Sequence, residues 1–254
     1  MNADRAEESD LFGYMDGILR NREGYFADIF EGRGVAKHCL LLLAIVVALS
    51  GFYGLIMGTS TGFSPQMISS AVKVPVLYLL TLVVCYPVLY VVIVIMGSRL
   101  SFGQTFALIL LALALNAILL ASCAPIVLFF TLTGSGYDFL KLLTVLIFAF
   151  SGAWGMMGLW RGLVAMCESS SLYPKQAVKI LKIWILIYAF VGTQMAWSLR
   201  PFIGSPDLEF EVFRQNQAGN FYQAVLNSVE NLVTHKPQPP LHNPWEQSES
   251  PGKI

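Results

Sequence analysis

Charge is scarce in this chain. Asp, Glu, Lys and Arg together supply 13% of its 254 residues, against a usual share of about 25% in soluble domains. A soluble surface of this size needs more, so a soluble globular protein is excluded. Histidine is scarcer still, with only His38, His235 and His242. No HExxH, GxSxG or Walker pattern occurs, and with these go the common signatures of metal-dependent, serine-dependent and nucleotide-driven chemistry. The cysteines Cys39, Cys85, Cys123 and Cys167 form no CxxC pair and lie in or beside apolar stretches. They read as small buried hydrophobes, with no disulfide framework and no zinc spacing. Net charge is zero, and no basic patch with interleaved aromatics is present, so nucleic acid is not an expected partner. No metal, cofactor or catalytic residue is expected.

What the chain does have is long apolar runs, which contribute most of its 56% hydrophobic residues. A bilayer core of about 30 Å needs roughly 20 helical residues. Five stretches meet this, at about Cys39–Met57, Val74–Met96, Phe106–Leu132, Leu140–Trp160 and Ile180–Leu199, and none contains an acidic residue. Backbone groups cannot stay unpaired in lipid, so each is expected to be a helix. The predicted fold class is all-α, a compact bundle of five transmembrane helices. Pro125 is expected to kink the long third span. Pro75 and Pro87 are expected to interrupt the second.

Orientation follows from Lys and Arg near the span ends. Arg20, Arg22, Arg33, Lys37, Arg99, Arg161, Lys175, Lys179 and Lys182 fall on one side, and Lys73, Lys141, Arg200 and Arg214 on the other. That bias places the N-terminus in the cytoplasm and the C-terminus outside it. About 37 mostly polar residues precede the first run, eight of them acidic, which is unlike a secretory signal.

The flanks carry their own patterns. Leu11, Phe12, Met15, Ile18, Leu19, Tyr25, Phe26, Ile29 and Phe30 recur near helical spacing, opposite Asp16, Arg20, Arg22, Glu23 and Asp28. One or two amphipathic helices are expected across residues 1–37, on the membrane face or under the bundle. Arg200-Pro201 ends the last span. Leu208 to Phe213 partly alternates and reads as a short extended segment. Phe221, Val225, Val229 and Leu232 mark one face of a short helix. Residues 200–233 are thus expected to form an ordered extracytoplasmic cap. Residues 234–254, rich in Pro, Gln and Ser, read as a disordered tail.

Gly54 with Gly58, and Gly158 with Gly162, repeat the small-residue spacing that lets membrane helices approach closely. Packing within one subunit and an interface with a partner both fit. Mid-span polar groups are few, namely Asn116, Ser122, Ser151 and Gln194, and the first and last suit interhelical hydrogen bonds. Ion-coupled transport usually needs more. Glu168 and the serines that follow it read as a solvated cytoplasmic loop. Arg161, Lys179 and Lys182 read as positive-inside anchors.

Two stretches carry a resemblance. One runs from SSAVKVPVLYLL through GSRLSFGQ to CAPIVLFF, and the other is VGTQMAWSLRPFIGSPDLEFEVFR with NFY after it. They resemble a group of bacterial inner-membrane proteins labelled Yip1-like or actin-binding WH2, over most of residues 10–233, with Leu199 to Phe202 the best-marked element. The resemblance implies a five-span fold and an inner-membrane location, and it supplies no catalytic or ligand residue. The DLYGP signature of eukaryotic Yip1 proteins and an LKKT-like WH2 motif are both absent. No trafficking or actin role is therefore carried over.

The expected function is a non-enzymatic membrane scaffold or accessory subunit. Its partners would be the lipid bilayer and a membrane protein or a second copy of the chain. The interaction surface is expected at Arg200, Pro201, Phe202, Phe210, Phe213, Arg214, Phe221 and Tyr222, with Arg200 reaching Asp207, Glu209 or Glu211. The alternative is a small transporter or channel lined by proline-broken helices two and three. A third reading, an enzyme acting on lipid, would need Glu168 clustered with Arg161 beside a headgroup groove.

Overall fold

The computed structural model describes residues 11–61, 65–169, 175–203 and 220–234. Within them the chain is helical, with no strand among the described residues. Two short helices come first, α1 (Leu11–Arg20) and α2 (Arg22–Phe30). The long helices follow: α3 (Val35–Gly58), α4 (Pro65–Ile95), α5 (Phe102–Ser122) continued by α6 (Ala124–Leu132), α7 (Tyr137–Ser169) and α8 (Lys175–Ser198). A last helix, α9, spans Phe221–Val233. Counting α5 with α6 as one, five helices are long and apolar enough to cross a membrane. The chain is an integral membrane protein.

Local chemistry sets the boundaries. Helix α4 ends where Ser98 N–H bonds to Ile93 O and Gly97 N–H to Val94 O. Gly97 there has φ +92°, and the same pair of bonds closes α6 at Gly134, φ +72°. Such a stop needs a left-handed residue, which glycine provides without steric cost. Helix α5 opens on a reciprocal cap between Ser101 and Gln104, which satisfies two otherwise orphaned backbone donors.

Of the two expectations about proline, one is corrected and one holds. Helix α4 runs unbroken through Pro75 and Pro87. Each proline leaves one carbonyl without its helical donor, but neighbouring helices can compensate inside a membrane bundle. In the third span the break falls at Cys123, ahead of Pro125. Pro125 sits in the first turn of α6, where no backbone donor is required. The third span is thus interrupted just ahead of its proline, as expected.

The bundle is built around α5. Every residue from Ala107 to Ile118 is buried, on all faces of the helix. Helix α3 packs along one side of α5 and α7 along another, while α4 packs on α3 and α8 on α4. The α3–α4 contact rests on glycine. A Cβ added to Gly54 would land on the carbonyl of Ser70, and one on Gly58 would stand 2.6 Å from the Cα of Met67. Gly155 of α7 lies the same way against α5, with a hypothetical Cβ 2.8 Å from Ala112 O.

The two short N-terminal helices tuck under one end of the bundle, called here the α2 end. Tyr14, Ile18, Tyr25, Phe26, Ile29 and Phe30 are all buried. Phe26 fills the space left by Gly162, where a Cβ would meet its ring at 2.5 Å. Gln104 Nε2 donates to Phe30 O at 2.7 Å, tying α2 to the start of α5. Tyr14 hydrogen-bonds His38 Nδ1, joining α1 to α3. Of Phe12, Phe26 and Phe30, expected to rest on lipid or on the bundle underside, Phe26 and Phe30 meet the bundle, while Phe12 is 81% exposed and lies off it. Beyond α2, Glu31 hydrogen-bonds the exposed Arg33 guanidinium and raises its pKa further above the ordinary value.

Candidate functional site: the latch and cap at the α9 end

The opposite end of the bundle brings α3, α6 and α8 to a close and starts α4 and α7. After α8, the chain turns back at Arg200-Pro201 and lays two carbonyls against the first turns of α4. Lys73 Nζ donates to Pro201 O at 3.0 Å. Gln66 Nε2 donates to Pro201 O at 3.1 Å and to Phe202 O at 3.2 Å. Ser70 Oγ donates to Phe202 O at 2.6 Å. Gln66, Ser70 and Lys73 lie three and four residues apart, so they share one face of α4. All three are buried, Lys73 at 5% exposure.

This is a polar latch in an apolar setting. A buried ammonium is costly unless it is hydrogen-bonded, and the carbonyls it meets also need donors. Phe202 packs against the core and Ile203 is buried. The Arg200 guanidinium lies over the Trp197 ring, 3.5 Å from its centroid. A cation is also favoured there by the end of α8.

Helix α9 forms the second part. Its N-terminus is closed by a reciprocal cap between Asn220 and Gln223. Ser228 Oγ donates to Asp138 Oδ1 at 2.7 Å, and Asn231 Nδ2 donates to Asp138 Oδ2 at 3.0 Å. Asp138, in the first turn of α7, thus uses both oxygens to hold α9. Tyr222 stacks on Phe190 of α8, and its hydroxyl lies 3.2 Å from Thr193 Oγ1. The face expected to bury is placed with one exception. Phe221, Val225 and Leu232 are half-buried, whereas Val229 is exposed.

Of the expected interaction residues, Arg200, Pro201, Phe202, Phe221 and Tyr222 therefore gather at this end. Phe210, Phe213 and Arg214 lie outside the described residues, as do Asp207, Glu209, Glu211, the extended segment from Leu208 to Phe213 and the tail after Thr234. Gly158 of α7 is buried, and Gly162 faces α2. Arg161 is exposed, and the Glu168 side chain is outside the described set. Lys182 stands 4.3 Å from the Trp160 ring centroid.

The interior holds a second polar group. Tyr78 donates to Asn116 Oδ1 at 3.2 Å, linking α4 to α5. Tyr53 of α3 faces Thr144 of α7, but outside hydrogen-bond geometry. The hydroxyls of Tyr53, Thr144 and Tyr188 are buried and make no hydrogen bond. Trp184 Nε1 donates to Cys85 O at 3.0 Å and fastens α8 to α4. Among the described residues, no His, Cys, Asp and Glu group is arranged to hold a metal ion.

Sequence reasoning missed Gln66, Ser70 and Asp138 altogether and took Lys73 only as a flanking charge. A signal existed for the three partners in α4: Gln66, Ser70 and Lys73 form one polar stripe just before an apolar span. No protein-family model, curated protein or solved structure matches the chain.

Proposed function

We propose that this protein is a non-enzymatic scaffold or accessory subunit of a membrane complex, in keeping with its Yip1-like resemblance. It sits in a bacterial inner membrane with the α2 end cytoplasmic and the latch and cap outside. The observation that carries this reading is the enclosure of α5. The centre of the bundle is occupied by an apolar helix buried along more than three turns, where a carrier would place a polar path. Binding chemistry is left to the ends and the outer surfaces. The cap joins residues from α4, α7 and α8 to the chain that follows them, so a partner touching it would contact the whole bundle.

A small channel or transporter is the second reading. It draws support from the buried Tyr53, Thr144 and Tyr188 hydroxyls, which make no hydrogen bond, an arrangement costly in a dry interior. Extraction into nanodiscs directly from the membrane, followed by mass spectrometry, separates the two. A stoichiometric companion, or a homo-oligomer, is the expected result. A lone monomer that passes current or releases a trapped solute in vesicles would overturn the scaffold reading.

A further inference from the structure

We propose that α9 is an interfacial helix, with Tyr222, Leu226 and Val229 immersed in the acyl chains of the leaflet at the α9 end. The occupant of its exposed apolar face is therefore the bilayer. This inference holds whether or not the protein is a scaffold.

The argument starts from how α9 divides its surface. At about 100° per residue, Tyr222, Leu226 and Val229 fall within about 60° of arc, and Val233 continues the spacing. Leu226 is 67% exposed, and Tyr222 and Val229 are also exposed. Gln223, Asn227 and Glu230 are exposed as well, on a separate sector centred about 100° further round. The third sector meets the bundle through Phe221, Val225, Ser228, Asn231 and Leu232. A helix lying beside a membrane bundle at the water boundary needs one side for protein, one for lipid and one for water. A helix above the membrane needs no apolar outer sector.

Depth gives the second argument. Tyr222 meets α8 at Phe190 and Thr193, which precede the end of α8 at Ser198. At 1.5 Å per residue those contacts lie about 7–12 Å below that end. The apolar sector of α9 is also continuous with lipid-facing side chains of α8, where Phe190, Ile187, Leu186 and Ile183 are all exposed. A helix N-terminus at such depth must satisfy its own amide donors. The Asn220–Gln223 cap satisfies two of them, those of Asn220 and Gln223. Asp138 is the positioning residue. By holding Ser228 and Asn231 it fixes the rotation of α9 that turns the stripe to lipid.

The test uses the full chain with its four native cysteines replaced and single cysteines placed by Leu226→Cys, Val229→Cys, Gln223→Cys or Asn227→Cys. Each is spin-labelled and reconstituted at one copy per nanodisc of phosphatidylcholine and phosphatidylglycerol. Collision with oxygen is compared with collision with a water-soluble nickel chelate. At 226 and 229 oxygen should dominate several-fold, and at 223 and 227 the nickel chelate should. Equal nickel access at all four sites would put the stripe in water and overturn the proposal. Low access to both reagents at 226 and 229 would mean that protein covers it, and would overturn the proposal equally. Labelled chains must keep the parent melting temperature. Val233→Cys and Glu230→Cys provide a second pair if any of the first four does not.

Discussion

Lys73 and Pro201, 128 residues apart, are joined by a 3.0 Å hydrogen bond from the ammonium to the backbone carbonyl. That contact fixes the direction in which the chain leaves the last span. Lys73→Met keeps the length of the side chain and removes the donor. Gln66 still donates to Pro201 O, so what is lost is one hydrogen bond from a charged group, about 1.5–3 kcal/mol. The purified variant should melt at a lower temperature than the parent in the same detergent. An unchanged melting curve would mean that the latch contributes nothing to stability.

The α3–α4 contact should be intolerant of any side chain at its glycines. Gly54→Leu forces a side chain into the Ser70 backbone, and overpacking typically costs about 1–3 kcal/mol. Gly192→Ala is the contrast, because its Cβ would find only Thr81 Cγ2 at 3.8 Å. That change should be neutral or stabilising by about 0.4–1 kcal/mol. Thermal denaturation of both variants checks the pair.

Asp138→Ala removes the acceptor for Ser228 and Asn231. Hydrogen bonds to charged groups contribute about 1.5–3 kcal/mol, so α9 should open more often. Amide hydrogen exchange should speed up across Phe221–Val233 and stay slow in α5. Faster exchange throughout the bundle would show that Asp138 supports the whole fold and not the cap alone.

The N-terminal helices separate two phenylalanines that share a sequence pattern. Phe26→Ala would leave a void under Gly162 and should cost about 3–5 kcal/mol. Phe12→Ser, at an exposed site, should stay within about 0.5 kcal/mol of the parent. Melting temperatures of the two single variants decide it. Equal losses would place Phe12 in the core as well.

Hydropathy made the five spans legible, because length and apolar content alone decide whether a helix can cross a bilayer. The small-residue spacing at Gly54 and Gly58 also pointed to a close contact, though not to α4 as its partner. What stayed hidden depends on long-range placement. Nothing local to Gln66, Ser70 or Lys73 reveals that residues 201 and 202 lie opposite them. The break beside Pro125 was legible, whereas Pro75 and Pro87 were read as interruptions because no local signal shows that neighbouring helices let a helix run on through a proline. At α9 the face was found from Phe221, Val225 and Leu232. Val229 was assigned to it because a two-sided pattern cannot reveal a helix that has three environments.

The enclosure of α5 bears on how the protein comes to exist. With a mean hydropathy of 2.5 in its most apolar window, the α5–α6 span is long and apolar enough to cross a bilayer. Yet in the finished molecule most of that window has no lipid around it. The span must therefore give up its lipid neighbours for α3 and α7 after insertion. Since water is absent there, close packing, the Tyr78–Asn116 bond and the release of lipid supply the drive. The membrane accepts α5 for its oiliness, and the bundle then keeps it for its shape.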